Sequence, residues 1–188
     1  MNISELERAQ ADMRRAFVGG ATGIFASAGV WMAAGVVSLV ATPRTAMFSL
    51  CFGGMFIHPL AIGYSRLLGS SGMPAKGNPL ARLALEGTVW MLLTIPLAFA
   101  LSFQRVEWFY VAMLLIIGGR YLTFATLYGM RIYWACGGVL ASAALALFAL
   151  GAGDTFAAFT GGAIELIFAA VIYRWCRVRE VGVSQTTP

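Results

Sequence analysis

Residues 132–152 read IYWACGGVLASAALALFALGA, with no charged side chain among them. A helix of about 20 apolar residues crosses the ~30 Å of bilayer hydrocarbon. This stretch therefore predicts a membrane span, and with it the solvent in which the chain folds. Working outward, the same test predicts further spans at 17–41, 46–68, 79–102, 107–129 and 155–176. The breaks carry turn chemistry: Thr42-Pro43-Arg44-Thr45, then Gly69 to Asn78, Phe103 to Val106, and Gly151-Ala152-Gly153-Asp154. Asn78-Pro79 reads as a helix cap followed by proline at the first helical position. Gly129-Met130-Arg131 is the shortest break, barely long enough to reverse direction.

Composition agrees. Apolar residues make up 60% of the chain and charged residues 11%, against roughly 45–50% and 25% in soluble domains. A globule of this size has no means of hiding so much apolar surface from water. The net charge of +5 does not point to nucleic acid, because the basic residues flank apolar runs as they do in cytoplasmic membrane loops. Cys51, Cys136 and Cys176 are scattered, and His58 is the sole histidine. That argues against a metal site of several His and Cys ligands and against bis-histidine haem within one subunit. No cofactor is expected. Cys176 lies at a membrane edge, where palmitoylation and an inert thiol are the alternatives.

The first sixteen residues differ. Ser4-Glu5-Leu6-Glu7 fits a capping box, and the charges on both sides suggest a short amphipathic helix at the membrane surface. Arg14-Arg15-Ala16-Phe17-Val18 resembles a twin-arginine export signal, with Ala26-Ser27-Ala28 as a cleavage site. The apolar run continues to Ala41 and five more spans follow, so a retained anchor is expected. Basic residues set the orientation. With the N-terminus inside, the cytoplasmic segments hold Arg8, Arg14, Arg15, Arg66, Lys76, Arg82, Arg131, Arg174, Arg177 and Arg179, and the outer turns only Arg44 and Arg105. Tyr64, Tyr128, Tyr133, Trp134, Tyr173 and Trp175 then form an inner aromatic belt, with Trp108 and Tyr110 at the outer interface.

The expected fold class is thus all-α: a polytopic transmembrane helix bundle of six spans, N-in/C-in, behind a short amphipathic helix. Its parts are residues 1–16 (surface helix), 17–177 (transmembrane domain) and 178–188 (cytoplasmic tail). The expected location is the cell inner membrane, with both termini cytoplasmic. Small residues at spacing four offer packing faces: Gly19, Gly23 and Ser27; Gly138, Ser142 and Ala146; Gly161, Glu165 and Ala169. Gly-Gly pairs recur, and FGGMFIHPLAIGYSR aligns with TGGAIELIFAAVIYR. Either an old hairpin duplication or chance in a glycine-rich chain accounts for this.

Ionisable groups inside spans are costly, so each needs a partner or a purpose. There are four: His58, Glu86, Arg120 and Glu165. Helix-rise counting from the cytoplasmic end puts Glu86 at about 10 Å and the other three at about 15 Å. One interpretation is a polar binding layer, with Arg120 paired to Glu165 or Glu86 or holding an anion. His58 is the one side chain there whose unperturbed titration falls near neutral pH. Pro59 and Pro96 each leave a carbonyl unpaired, as kinks lining polar cavities do. The plainer interpretation is a buried ion pair of Arg120 with one glutamate, Glu86 bonded to Arg82 one turn away, and His58 donating to a carbonyl. Lys76, Asn78 and Arg82, around the start of the third span, are a candidate site for an anion or lipid headgroup.

Three stretches carry a resemblance: GGMFIHPLAIGYSRLLG at 53–69, AKGNPLARL at 75–83 and GGRYLTFATLYGMRIYW at 118–134. They resemble a group of uncharacterised small bacterial membrane proteins, over nearly the whole chain. The resemblance implies a six-helix bacterial inner-membrane protein and supplies no catalytic residues. The leading functional expectation is a small, oligomeric transporter or channel for a small polar or anionic substrate. Its alternatives are a structural or regulatory subunit binding another membrane protein, and an enzyme acting on a lipid or isoprenoid. The enzyme has no nucleophile elbow and no magnesium-binding acidic motif to support it.

Overall fold

A computed structural model of the protein describes residues 2–184, with side chains described through Val178. Arg179 and most of the expected 178–188 tail lie outside the described side chains. Every described element is helical: α1 (Ile3–Phe17), α2 (Ala21–Val40), α3 (Pro43–Gly54), α4 (Ile57–Leu67), α5 (Pro79–Ser102), α6 (Glu107–Tyr128), α7 (Ile132–Leu150) and α8 (Asp154–Ser184). Five stretches are long and apolar enough to cross a membrane: Ile3–Val40, α5, α6, α7 and Asp154–Val178 of α8. The pair α3 and α4, bent by 53°, makes a sixth when taken as one span.

The boundaries follow from local chemistry. Asn78 caps α5 by accepting the Leu80 N–H, and Thr42 caps α3 by accepting that of Thr45, each with proline next. The cap lets α3 begin at Pro43 rather than at 46. The capping box of α1 is Asn2 with Glu5, not Ser4 with Glu7: Asn2 accepts the Glu5 N–H and Glu5 accepts that of Asn2, both at 2.9 Å. Between α1 and α2 the chain turns sharply through Val18, Gly19 and Gly20, at φ +50°, +66° and +91°. Gly129 reverses α6 into α7 at φ +61°, and the Met130 N–H closes the cap on the Ala125 carbonyl. That left-handed residue is what makes so short a break sufficient.

The break between α3 and α4 has a clear cause. Pro59 lacks an N–H, and its ring would collide with the carbonyl four residues back, that of Met55. The chain yields at Met55–Phe56, where tighter bonds form from Met55 to Phe52 and from Phe56 to Gly53. Pro59 then falls in the first turn of α4, where a missing N–H costs little.

The bundle has two ends. The basic end gathers the 18–20 bend, the ends of α4 and α6, the starts of α5 and α7, and Arg66, Lys76, Arg82 and Arg131. The distal end holds Arg44 and Arg105. α2 and α8 form one tight antiparallel pair and α6 and α7 another, with α5 laid against α6 and the α3–α4 pair against α2. Glycines permit these approaches. A methyl at Gly137 would stand 2.6 Å from the Gly118 carbonyl oxygen, and one at Gly161 would stand 2.9 Å from the Trp31 ring.

The stripe Gly161, Glu165 and Ala169 faces inward as expected of a packing face. The stripe Gly138, Ser142 and Ala146 points outward. α7 packs through Tyr133, Cys136, Gly137, Leu140, Ala144 and Leu147 instead. Likewise Tyr110 and Tyr133 are fully buried and Tyr128 nearly so, making them core residues rather than belt anchors. The two aligned Gly-Gly hairpins differ in shape: Gly53-Gly54 ends α3 at the break, whereas Gly161-Gly162 lies within the unbroken α8. α5 buries only Leu80 and Ala98 and exposes Trp90, Leu93 and Leu97, an outer face suited to lipid tails.

Candidate functional site

Glu165 lies on the inward face of α8 and is 0% exposed. The small residues one turn away on either side, Gly161 and Ala169, let neighbouring helices close over it. From α6, the Tyr121 hydroxyl donates to Glu165 Oε1 at 2.6 Å. From α2, the buried Ser27 approaches the same carboxyl. Oε2 has no hydrogen-bond partner, and no cation among the described residues comes within ion-pair distance of Glu165.

Aromatic rings connect this point to the basic end. Tyr121 packs on Phe124 and Tyr133, with centroids at 5.4 and 6.2 Å. Tyr133 stacks on Tyr128 at 5.5 Å, and its hydroxyl donates to the Gly19 carbonyl at 2.6 Å. The bend at 18–20 is thus fastened to a column of rings that ends at the buried acid. The sequence pattern marks Tyr128 and Tyr133 as anchors and does not single out Tyr121. The available signal for Tyr121 is its place directly after Arg120.

Arg120 points elsewhere. Its guanidinium reaches α5, where Nη2 donates to Thr88 Oγ1 and Nη1 to Met91 Sδ, each at 3.0 Å. Its Cζ lies 5.6 Å from the centroid of the Phe124 ring. Among the described residues no ion pair joins Arg120 to Glu165 or to Glu86. Consecutive residues on a helix diverge by about 100°, so Arg120 and Tyr121 take different flanks of α6.

Glu86 pairs with Arg82 at 3.0 Å, both side chains more than half exposed. An exposed pair of this kind contributes little to stability. His58 is exposed in the first turn of α4, beside the break. The four ionisable groups on four helices therefore do not converge on one cavity.

The loop before α5 serves α1. Asn78 Nδ2 donates to the Ala9 carbonyl at 3.0 Å and to Asp12 Oδ2 at 2.7 Å, and Asp12 also accepts the Ala75 N–H at 2.9 Å. Gly72 N–H bonds the Ala16 carbonyl. Asn78 is committed to this clasp, Arg82 to Glu86, and Lys76 is exposed, so the three do not form one pocket. On the other side of α1, Gln10 donates to the Thr126 carbonyl at 2.8 Å and Arg14 to that of Tyr128. These are orphan carbonyls at the end of α6, which such side chains commonly satisfy. Gln10 and Arg14, four residues apart, lie on one face of α1, which is why both reach the end of α6.

A groove of about 380 Å³ opens between α2, α4 and α8 near the basic end, with Phe25, Tyr64, Leu67, Leu166 and Tyr173 among its walls. None of the four ionisable groups lines it. Thr22 in its wall shares a buried hydrogen bond of 2.9 Å with Ser65, which ties α2 to α4.

Apolar helices of membrane-crossing length, an outer surface of large aliphatic and aromatic residues and a sealed polar centre define the class: an integral membrane protein built as an all-helical bundle. Residues 6–175 match DUF7010, a family of unknown function, and the chain belongs to that family. No curated protein and no solved structure matches it.

Proposed function

We propose that the protein is a small bacterial inner-membrane transporter, with both termini in the cytoplasm, in which Glu165 carries a proton. The observation that carries this reading is the sealed carboxyl: wholly buried, bonded to Tyr121, with no cation among the described residues beside it. A carboxylate in such surroundings would be very costly, whereas a neutral acid is tolerable. Intramembrane carboxyls that face the bundle interior commonly serve proton relays, which supports that role for Glu165. The excess of basic residues at the α1 end supports the orientation.

The test is proton movement in proteoliposomes under an imposed membrane potential, followed with an entrapped pH dye. A panel of small organic and inorganic anions is supplied on one side. Proton flux that requires one of these solutes and disappears in Glu165→Gln is the expected result. Flux no greater than in protein-free vesicles across the panel, or unchanged in Glu165→Gln, overturns the reading.

A second reading, a structural or regulatory subunit, is favoured by one observation. The outward stripe Gly138, Ser142 and Ala146 is exposed and made of small residues, so a partner helix would be able to approach it closely. Recovery of a stoichiometric membrane partner that is lost in Ser142→Leu supports it, and purification without any partner argues against it.

A further inference from the structure

We infer that Arg120 and Thr88 form a binding site for an oxyanion, a phosphate or carboxylate group, between α5 and α6. A guanidinium has five N–H donors. Among the described residues Arg120 engages two, one with a hydroxyl and one with a thioether, which is a weak acceptor. Thr88 supplies no negative charge, and its own proton goes to the Ala84 carbonyl at 2.9 Å.

The nearby acids are spoken for. Glu165 lies on the other flank of α6 with Tyr121, and Glu86 is bonded to Arg82. Eight residues of α6 separate Arg120 from the basic end, about 12 Å of helix. At that depth a charge without a counter-charge among the described residues is a functional-site candidate. Phe124 covers one side of the guanidinium. Arg120 is only partly buried, so its guanidinium is not sealed as the Glu165 carboxyl is. Three of its five N–H donors are left for the oxygens of one anion.

Two sources supply that chemistry: a lipid headgroup whose phosphate sinks below the interface, and a free anion. The site does not depend on the proton reading of Glu165. Anion binding without proton movement would leave this inference standing and the transport reading failed.

The experiment follows thermal unfolding of the full chain in nanodiscs. One set is phosphatidylcholine alone with added inorganic phosphate or acetate, and the other contains phosphatidylglycerol without added anion. Wild type is expected to be stabilised in one set, Arg44→Gln, at an exposed arginine of the distal end, to retain the shift, and Arg120→Gln to lose it. Thr88→Val raises the anion or lipid concentration at half-effect severalfold by loosening the arginine. It also keeps the inference testable where Arg120→Gln fails to fold. A shift in the phosphatidylglycerol set alone assigns the lipid, and one in the phosphate or acetate set alone assigns the free anion. No shift for wild type in either set, or equal shifts in wild type, Arg120→Gln and Thr88→Val, overturns the inference.

Discussion

Tyr121→Phe removes one oxygen and keeps the ring that packs on Phe124 and Tyr133. What it strands is Glu165, whose one short bond is the 2.6 Å contact to that hydroxyl. Hydrogen bonds between transmembrane helices contribute on average about 0.6 kcal/mol and at most about 1.7. Leaving a buried partner unsatisfied costs roughly 1–3 kcal/mol. With Tyr121 at 4% and Glu165 at 0% exposure, water cannot compensate. The substitution is therefore expected to cost about 1.5 kcal/mol, close to tenfold in the unfolding equilibrium.

Glu165→Leu fills similar volume without a polar atom, so combined with Tyr121→Phe it should cost nothing further or restore stability. The assay is a double-mutant cycle, read by reversible unfolding in mixed detergent micelles. A coupling of about 1–1.5 kcal/mol is expected, and single losses that add to within about 0.3 kcal/mol refute the reasoning. Glu165→Gln keeps an acceptor for Tyr121 and should remain folded, which makes it the suitable variant for flux measurements.

Gly137→Ala drives a Cβ toward the Gly118 carbonyl and the Leu122 side chain and should cost about 2–3 kcal/mol in thermal unfolding. Gly138→Ala, whose Cβ meets nothing within 4 Å, should stay within about 0.5 kcal/mol of wild type. Gly129→Ala forces a side chain into the left-handed region, a loss of about 1–2 kcal/mol, and crowds Gln10; its unfolding midpoint should fall accordingly. Asn78→Ala removes a cap worth about 1 kcal/mol together with the bonds to Ala9 and Asp12. Limited proteolysis within residues 69–78 should accelerate, and an unchanged rate would show that the clasp on α1 does not hold the loop.

The spans were legible because a length threshold and proline or glycine breaks suffice to define them. Even the broken span announced itself through Pro59, though the break falls at Met55–Phe56. The faces of the helices were not legible. In a water-soluble bundle an apolar stripe marks the core, but in lipid both the core and the surroundings are apolar. α7 shows the consequence. Its inward Gly137, Leu140 and Ala144 and its outward Gly138, Ser142 and Ala146 are hard to tell apart by composition.

The same blindness explains the ion pair that does not form. Rise per residue gives depth, and Arg120 and Glu165 do share a depth, but pairing also needs a common azimuth. Arg120 spends its direction on Thr88 and Met91, while its neighbour Tyr121 meets Glu165. α6 consequently carries two polar contacts on different flanks, one to α5 and one to α8. Both contacts sit on one rigid helix, so a displacement of α6 at Arg120 is felt at the bond between Tyr121 and Glu165. Under the transport reading this shared helix is the coupling element.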